Sequence, residues 1–273
     1  MWPDESVRGA AVEIATPSWA GRIPGVEMAG FRGRADGVEE LRVIPYPAVT
    51  IFLDFRGGLV HEVDGARRQG SFVAGVAPGG GRMRGGAEVD CLQIRLSPVV
   101  AHAVLGRELG GEVAGFEEVW GRDAERIRER VRAAASWDER FAVAERVIAR
   151  RCAAGRAVDP EVAFAWERIV ASRGQARVER LAEAVGWSRQ RLWSRFRGQT
   201  GLTPKRAATL VRFDHAAHRL AAGHSAAAVA SECGFVDQSH LCRDAMALAA
   251  MTPTDVAAAI WLTVDDAAWP ARV

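Results

Sequence analysis

The stretch GWSRQRLWSRFRGQTGLTP, residues 186–204, carries Arg189, Arg191, Arg195 and Arg197 beside two tryptophans and contains no acid. Its apolar members are spaced as on a helix. Leu192 and Phe196 stand four apart and face inward, while Gln190, Trp193, Ser194 and Arg197 follow the i, i+3, i+4, i+7 rule on the opposite side. An amide, an indole, a hydroxyl and a guanidinium therefore share one exposed stripe. Ser188 stands in the N-cap position ahead of it. Such a helix suits the major groove, where Gln pairs bidentately with adenine and the flanking Arg191, Arg195 and Arg197 reach phosphates. A solvated basic face on an ordinary helical bundle is the alternative reading.

The surroundings favour the first reading because the unit occurs twice. LAEAVGW at 181–187 matches VASECGF at 229–235, and after one extra residue Ser188 falls on Asp237, Leu192 on Leu241 and Thr203-Pro204 on Thr252-Pro253. Each copy has a short helix ending at Gly plus an aromatic, a tight turn, an N-cap (Ser188 or Asp237) and a second helix, which is the helix-turn-helix plan. Between 173 and 219 the acids are only Glu179, Glu183 and Asp214, against ten arginines and one lysine, although the whole chain has a net charge of just +2. The missing counter-charges suit DNA phosphates.

The C-terminal hundred residues resemble the AraC/XylS family of transcription regulators. Its first pattern is met by Leu181-Ala182, Ser188, Leu192, Phe196-Arg197, Gly201 and Thr203-Pro204, and its second by GFVDQSHLCR at 234–243. The resemblance implies base contacts from Gln190, Trp193 and Ser194 in the first unit and from Gln238, Ser239, Cys242 and Arg243 in the second, with Arg243 suited to guanine. The phosphate contacts assigned are Arg189, Arg191, Arg195, Arg197, Lys205, Arg206 and His240. The chain departs from the family at Ala245, Met246 and Ala250, where an aromatic, a base and a glycine are usual. A more loosely anchored second recognition helix is the expectation there.

Upstream, residues 40–96 alternate as strands do. In PAVTIFLDF, Val49, Ile51, Leu53 and Phe55 oppose Thr50, Phe52 and Asp54, and in DCLQIRL the residues Leu92, Ile94 and Leu96 share a face. RGG at 56, DG at 64 and PGGGRMRGG at 78 mark turns. The pattern turns helical from Pro98, with Trp137, Phe141, Ala144 and Ile148 forming a stripe that reads as core or as a dimer seam. RCAAGRAVDP at 151–160 is turn-rich. The expected class is therefore α+β: a β-rich sensing or dimerisation domain over 1–152 with trailing helices, a linker over 153–160, and an all-α domain with two helix-turn-helix units over 161–273. The resemblance implies a cupin-like first domain.

At 273 residues, 49% hydrophobic and 26% charged, the chain can bury a full core. MWPDES does not open a signal peptide, and no apolar run reaches 18 residues, so a cytoplasmic protein away from the membrane is expected. Four scattered cysteines suggest reduced thiols. Cys233, His240 and Cys242 lack the spacing of a zinc site, and His61 and His102 do not form the clustered set of a cupin metal centre. His61-Glu62 does not extend to HExxH, the Gly-rich run lacks the GK[ST] of a P-loop, and GxSxG is absent. No catalytic residue, metal or cofactor is expected. A small effector has room to sit near Ile51, Leu53, Phe72, Leu92 and Ile94, although these residues also read as plain core. The expected function is a bacterial-type, sequence-specific transcription regulator acting on double-stranded promoter DNA. RNA polymerase, an unidentified small-molecule effector and a second copy of the chain are further expected partners. A sequence-indifferent coat on DNA or RNA is the competing reading.

Overall fold

The computed structural model describes residues 10–19, 21–35, 40–63, 66–76, 81–106 and 110–270. MWPDES, the DG at 64–65 and residues 78–80 of the Gly-rich run lie outside them. The first half contributes β1 (Ala10–Ala15), β2 (Val26–Ala35), β3 (Leu41–Arg42), β4 (Val49–Asp54), β5 (Val60–Val63), β6 (Ala66–Gln69), β7 (Phe72–Ala74), β8 (Arg82–Arg84), β9 (Glu88–Leu96), α1 (Pro98–Leu105), β10 (Val113–Gly115), α2 (Phe116–Trp120), α3 (Ala124–Arg132) and α4 (Trp137–Ala154). One sheet runs β1-β2-β9-β4-β7-β10 and a smaller one β3-β8-β5-β6, with antiparallel pairing between neighbouring strands in both.

The alternation in β4 is real, but both of its faces are buried. Val49, Ile51, Leu53 and then Phe55 enter a core shared with the helices, whereas Phe52 stacks on Phe72 at 4.5 Å in the core that includes Met83 of the smaller sheet. The polar members of that second face are satisfied rather than solvated. Thr50 Oγ1 lies 2.6 Å from the Tyr46 hydroxyl, and the Asp54 carboxylate accepts from the amides of Leu59 and Arg56 at 2.8 and 2.9 Å. Three strands fall outside the predicted 40–96 span. Gly30 and Gly33 break the apolar rhythm of β2, and β10 is only three residues long, held by pairing with β7.

The proposed effector lining is corrected by this arrangement. Ile51, Leu53, Leu92 and Ile94 share one core but Phe72 lies in the other, and the space left between the sheet and α2–α4 is about 10 Å³, at or below what one water needs. Phe141, Ala144 and Ile148 of α4 are buried in that same core, so the stripe is core and not an open seam.

The second half contributes α5 (Pro160–Ala171), α6 (Val178–Ala184), α7 (Arg189–Thr200), α8 (Pro204–Ala221), α9 (Ala226–Glu232), α10 (Gln238–Ala249), α11 (Pro253–Ala257) and α12 (Ile260–Ala268). Helix α4 continues through Ala154 and Pro160 opens α5, which leaves only residues 155–159 irregular. A Cβ on Gly155 would stand 1.8 Å from the Ala103 carbonyl oxygen, so this connection lies directly against α1. The buried cluster that begins at Val26 continues without a break to Leu192, Phe196 and Val211. The two halves share a core.

Helix α12 returns to the first half. Its Asp265 pairs with Arg95 of β9, the two side chains being 2% and 1% exposed, and the guanidinium lies 3.9 Å from the Tyr46 ring centre and 3.4 Å from that of Trp269. His218 of α8 joins this clasp, with Nδ1 at 2.7 Å from Asp266 and Nε2 at 3.4 Å from Asp265. Burial works against charge on that ring, but the carboxylates of Asp265, Asp214 and Asp266 outweigh it and push the pKa up to about 9.

Candidate nucleic-acid interface

The first reading unit is α6, a turn with Gly186 at φ +67°, and α7. Ser188 caps α7, its hydroxyl accepting from the Arg191 amide at 3.2 Å. Leu192 and Phe196 are fully buried, while Gln190, Trp193, Ser194 and Arg197 are all exposed. Trp193 is 45% exposed, uncommon for so large an apolar ring, and the Arg197 guanidinium lies 5.3 Å from its centre. The opposite-face geometry expected from the spacing is therefore present.

The basic residues divide into free and engaged groups. Lys205 and Arg206 are exposed in the first turn of α8, which Thr203 caps through the Arg206 amide. Arg191 rests over the Trp187 ring at 4.5 Å, and Arg189 is 3.6 Å from Glu179. Arg195 is held from the connecting segment: its Nε and Nη2 donate to the two Asp159 oxygens at 2.6 and 2.7 Å, a bidentate pair that keeps the Asp159 carboxyl below the usual carboxylate range. The Asp159 amide also donates to Gln199 Oε1 at 3.0 Å. Helix α7 is thus tied at two points to the end of the connector, and α1 of the first half lies against it. Sequence spacing gave no sign of this, since the Asp159–Arg195 pair spans 36 residues.

The second unit repeats the plan. Helix α9 is followed by Gly234 at φ +75°, buried Phe235 and the Asp237 cap, whose carboxylate accepts from the His240 amide at 2.7 Å. Gln238, Ser239 and Arg243 are exposed and Cys242 is half-buried. His240 is turned into the unit: its ring meets Phe235 edge-on at 5.4 Å, Nδ1 accepts from the Val236 amide at 3.3 Å, and Nε2 lies 3.6 Å from Asp244. It braces the turn in this structure. Val236, the extra residue of the second copy, is 86% exposed in the turn before the Asp237 cap.

The departures have physical counterparts. Ala245 occupies the place of Phe196 and is fully buried, and α10 spans twelve residues as α7 does. Ala250 occupies the place of Gly201 and takes the same left-handed backbone, with φ +52° against +74°. A Cβ in that region costs roughly 1–2 kcal/mol. Ala250→Gly should therefore raise stability by about 1 kcal/mol, read as a higher Tm; an unchanged or lower Tm would show that the alanine is unstrained.

Residues 181–259 match a family described as a helix-turn-helix domain. The chain covers 87% of its length in a match to ToxT from Vibrio cholerae O395, which is covered to 99%, at 9% identity and a TM-score of 0.49. The C-terminal domain of AraT, a response regulator from Geobacillus stearothermophilus, matches at 19% identity and a TM-score of 0.35, covering 38% of this chain and 88% of that one. The AraC-like transcriptional activator CuxR matches at 15% identity and 0.30, covering 68% and 79%. No curated protein sequence matches the chain. The fold and the duplicated unit define a DNA-binding regulator of transcription. Residues 181–259 carry the helix-turn-helix domain that this family model describes.

Proposed function

We propose that the protein reads specific promoter sequences through α7 and α10 in the cytoplasm, and that its first half, residues 1–152, controls that reading by binding a small effector or by self-association. RNA polymerase would be met at the promoter. The observation that carries the sequence-specific reading is the exposed Gln190–Trp193–Ser194–Arg197 stripe over buried Leu192 and Phe196, repeated 49 residues later as an exposed face over Leu241. A coat protein needs cations; it does not need an amide and an indole held at fixed positions on a capped helix. Control from the first half is supported by the shared core and by the Asp159–Arg195 tie, which give α7 a mechanical link to that half.

Fluorescence anisotropy on a selected duplex and on random DNA separates the two readings. Gln190→Ala should lose about 1–3 kcal/mol on the selected site and almost nothing on random DNA. Arg197→Ala should weaken both and reduce the salt slope by about 0.9. Equal loss for Gln190→Ala on both duplexes would replace the specific reader with a coat.

A further inference from the structure

The two reading units share a plan but not a chemistry. At an offset of 49 residues the first stripe, Gln190, Trp193, Ser194 and Arg197, falls on Ser239, Cys242, Arg243 and Met246. Helix α7 carries four arginines and no acid, whereas α10 has only Arg243 and His240, beside Asp244. Even those two are engaged within the unit: Arg243 Nε donates to the Ser239 carbonyl at 3.3 Å, and the His240 ring is turned onto Phe235. Little charge is left on α10 to hold it against phosphates.

What the second unit exposes instead is apolar. Among the described residues five large hydrophobic side chains are exposed, and three of them, Trp193, Val236 and Met246, stand on α7, on α10 or in the turn before it, so this exposure is concentrated on the reading units. Met246 is 52% exposed and follows Arg243 by three residues, while Val236 precedes Ser239 by three, so the pair brackets the stripe at its two ends. Neither is a loose end. Val236 lies between buried Phe235 and the Asp237 cap, and its amide donates to His240 Nδ1 at 3.3 Å, so a stiff β-branched side chain is held in solvent by a tied backbone. In the major groove the apolar group on offer is the 5-methyl of thymine. We propose that Val236 and Met246 read thymine methyl groups, so that the second unit selects T·A pairs by apolar contact while the first reads hydrogen bonds and supplies most of the attraction to phosphates. This assigns specificity residues within the regulator reading and rests on that reading.

The test selects duplexes from a random pool with the full chain, then measures anisotropy on the enriched site with each thymine replaced in turn by uracil. That exchange deletes the methyl and leaves every hydrogen-bonding group of the base in place. At one thymine or more, the wild type should lose about fourfold in affinity, the worth of one buried methylene. The double variant Val236→Ser with Met246→Gln should bind thymine and uracil alike at those positions, keep its Tm because both side chains are exposed, and respond as the wild type does elsewhere in the site. A wild type indifferent to uracil at every thymine, or a preference for thymine that survives undiminished in the double variant, would overturn the assignment. If no duplex is enriched over random DNA, the regulator reading itself fails and takes the assignment with it; if one is enriched and uracil serves as well as thymine, only the methyl reading fails.

Discussion

Asp265→Ala should destabilise the protein by about 3–5 kcal/mol, because it leaves Arg95 charged, buried and without its counter-ion. The guanidinium cannot move easily to water: it is held between the rings of Tyr46 and Trp269 in a side chain 1% exposed. Urea unfolding of the single variant measures the loss directly. The double replacement Arg95→Met with Asp265→Leu should recover most of it, since exchanging a buried pair for apolar groups of similar size is often neutral. A single-variant loss below about 1 kcal/mol would mean that the charge finds water or a new partner.

The same clasp carries a pH dependence. His218 has a folded pKa of about 9 against 6.5 for the free side chain, so its protonated form is favoured by folding. The stability it adds is fully present below about pH 6.5 and is lost as pH rises through about 9. Unfolding free energies at the two ends of that window should fall with rising pH in the wild type and stay nearly level in His218→Gln. A wild-type profile that rises across the window would reverse the assignment.

Phe196→Ala should cost about 3–5 kcal/mol, the range for emptying a buried aromatic site. Its ring is fully buried in the cluster that joins the two halves. Alanine is the best helix former, so the loss reports packing rather than helix propensity. The variant should also lose selective DNA binding, because the stripe from Gln190 to Arg197 is aimed by the residues beneath it. The second unit already lives with alanine at this position: Ala245 lies in a core with Phe213, Leu241, Leu248 and Trp261. A Phe196→Ala protein of unchanged stability would show that α7 is likewise carried by its neighbours.

Much of the second half was legible in the sequence because its information is local. Ser188 and Asp237 cap their helices, Gly186 and Gly234 turn with positive φ, and the i, i+4 pair Leu192–Phe196 fixes which face is hidden. The first half was legible only in part. The alternation of β4 predicts a strand but cannot say that Thr50 and Asp54 are buried with partners, because a covered polar face and a solvated one have the same spacing. Arg95 has that ambiguity too, its partner lying 170 residues away. The phosphate assignments for Arg195 and His240 came from charge alone, and charge does not reveal that Asp159 or Phe235 stands beside them.

Gly155, pressed against the Ala103 carbonyl, makes the joint between the halves a seam rather than a tether. Exchanging the first half for that of another regulator, as if it were a cartridge, would leave α7 facing a foreign α1 and Arg195 facing a foreign connector. A workable chimaera has to carry α1, the connector through Asp159 and the matching face of α7 together, so in this chain the unit of inheritance is the contact and not the domain.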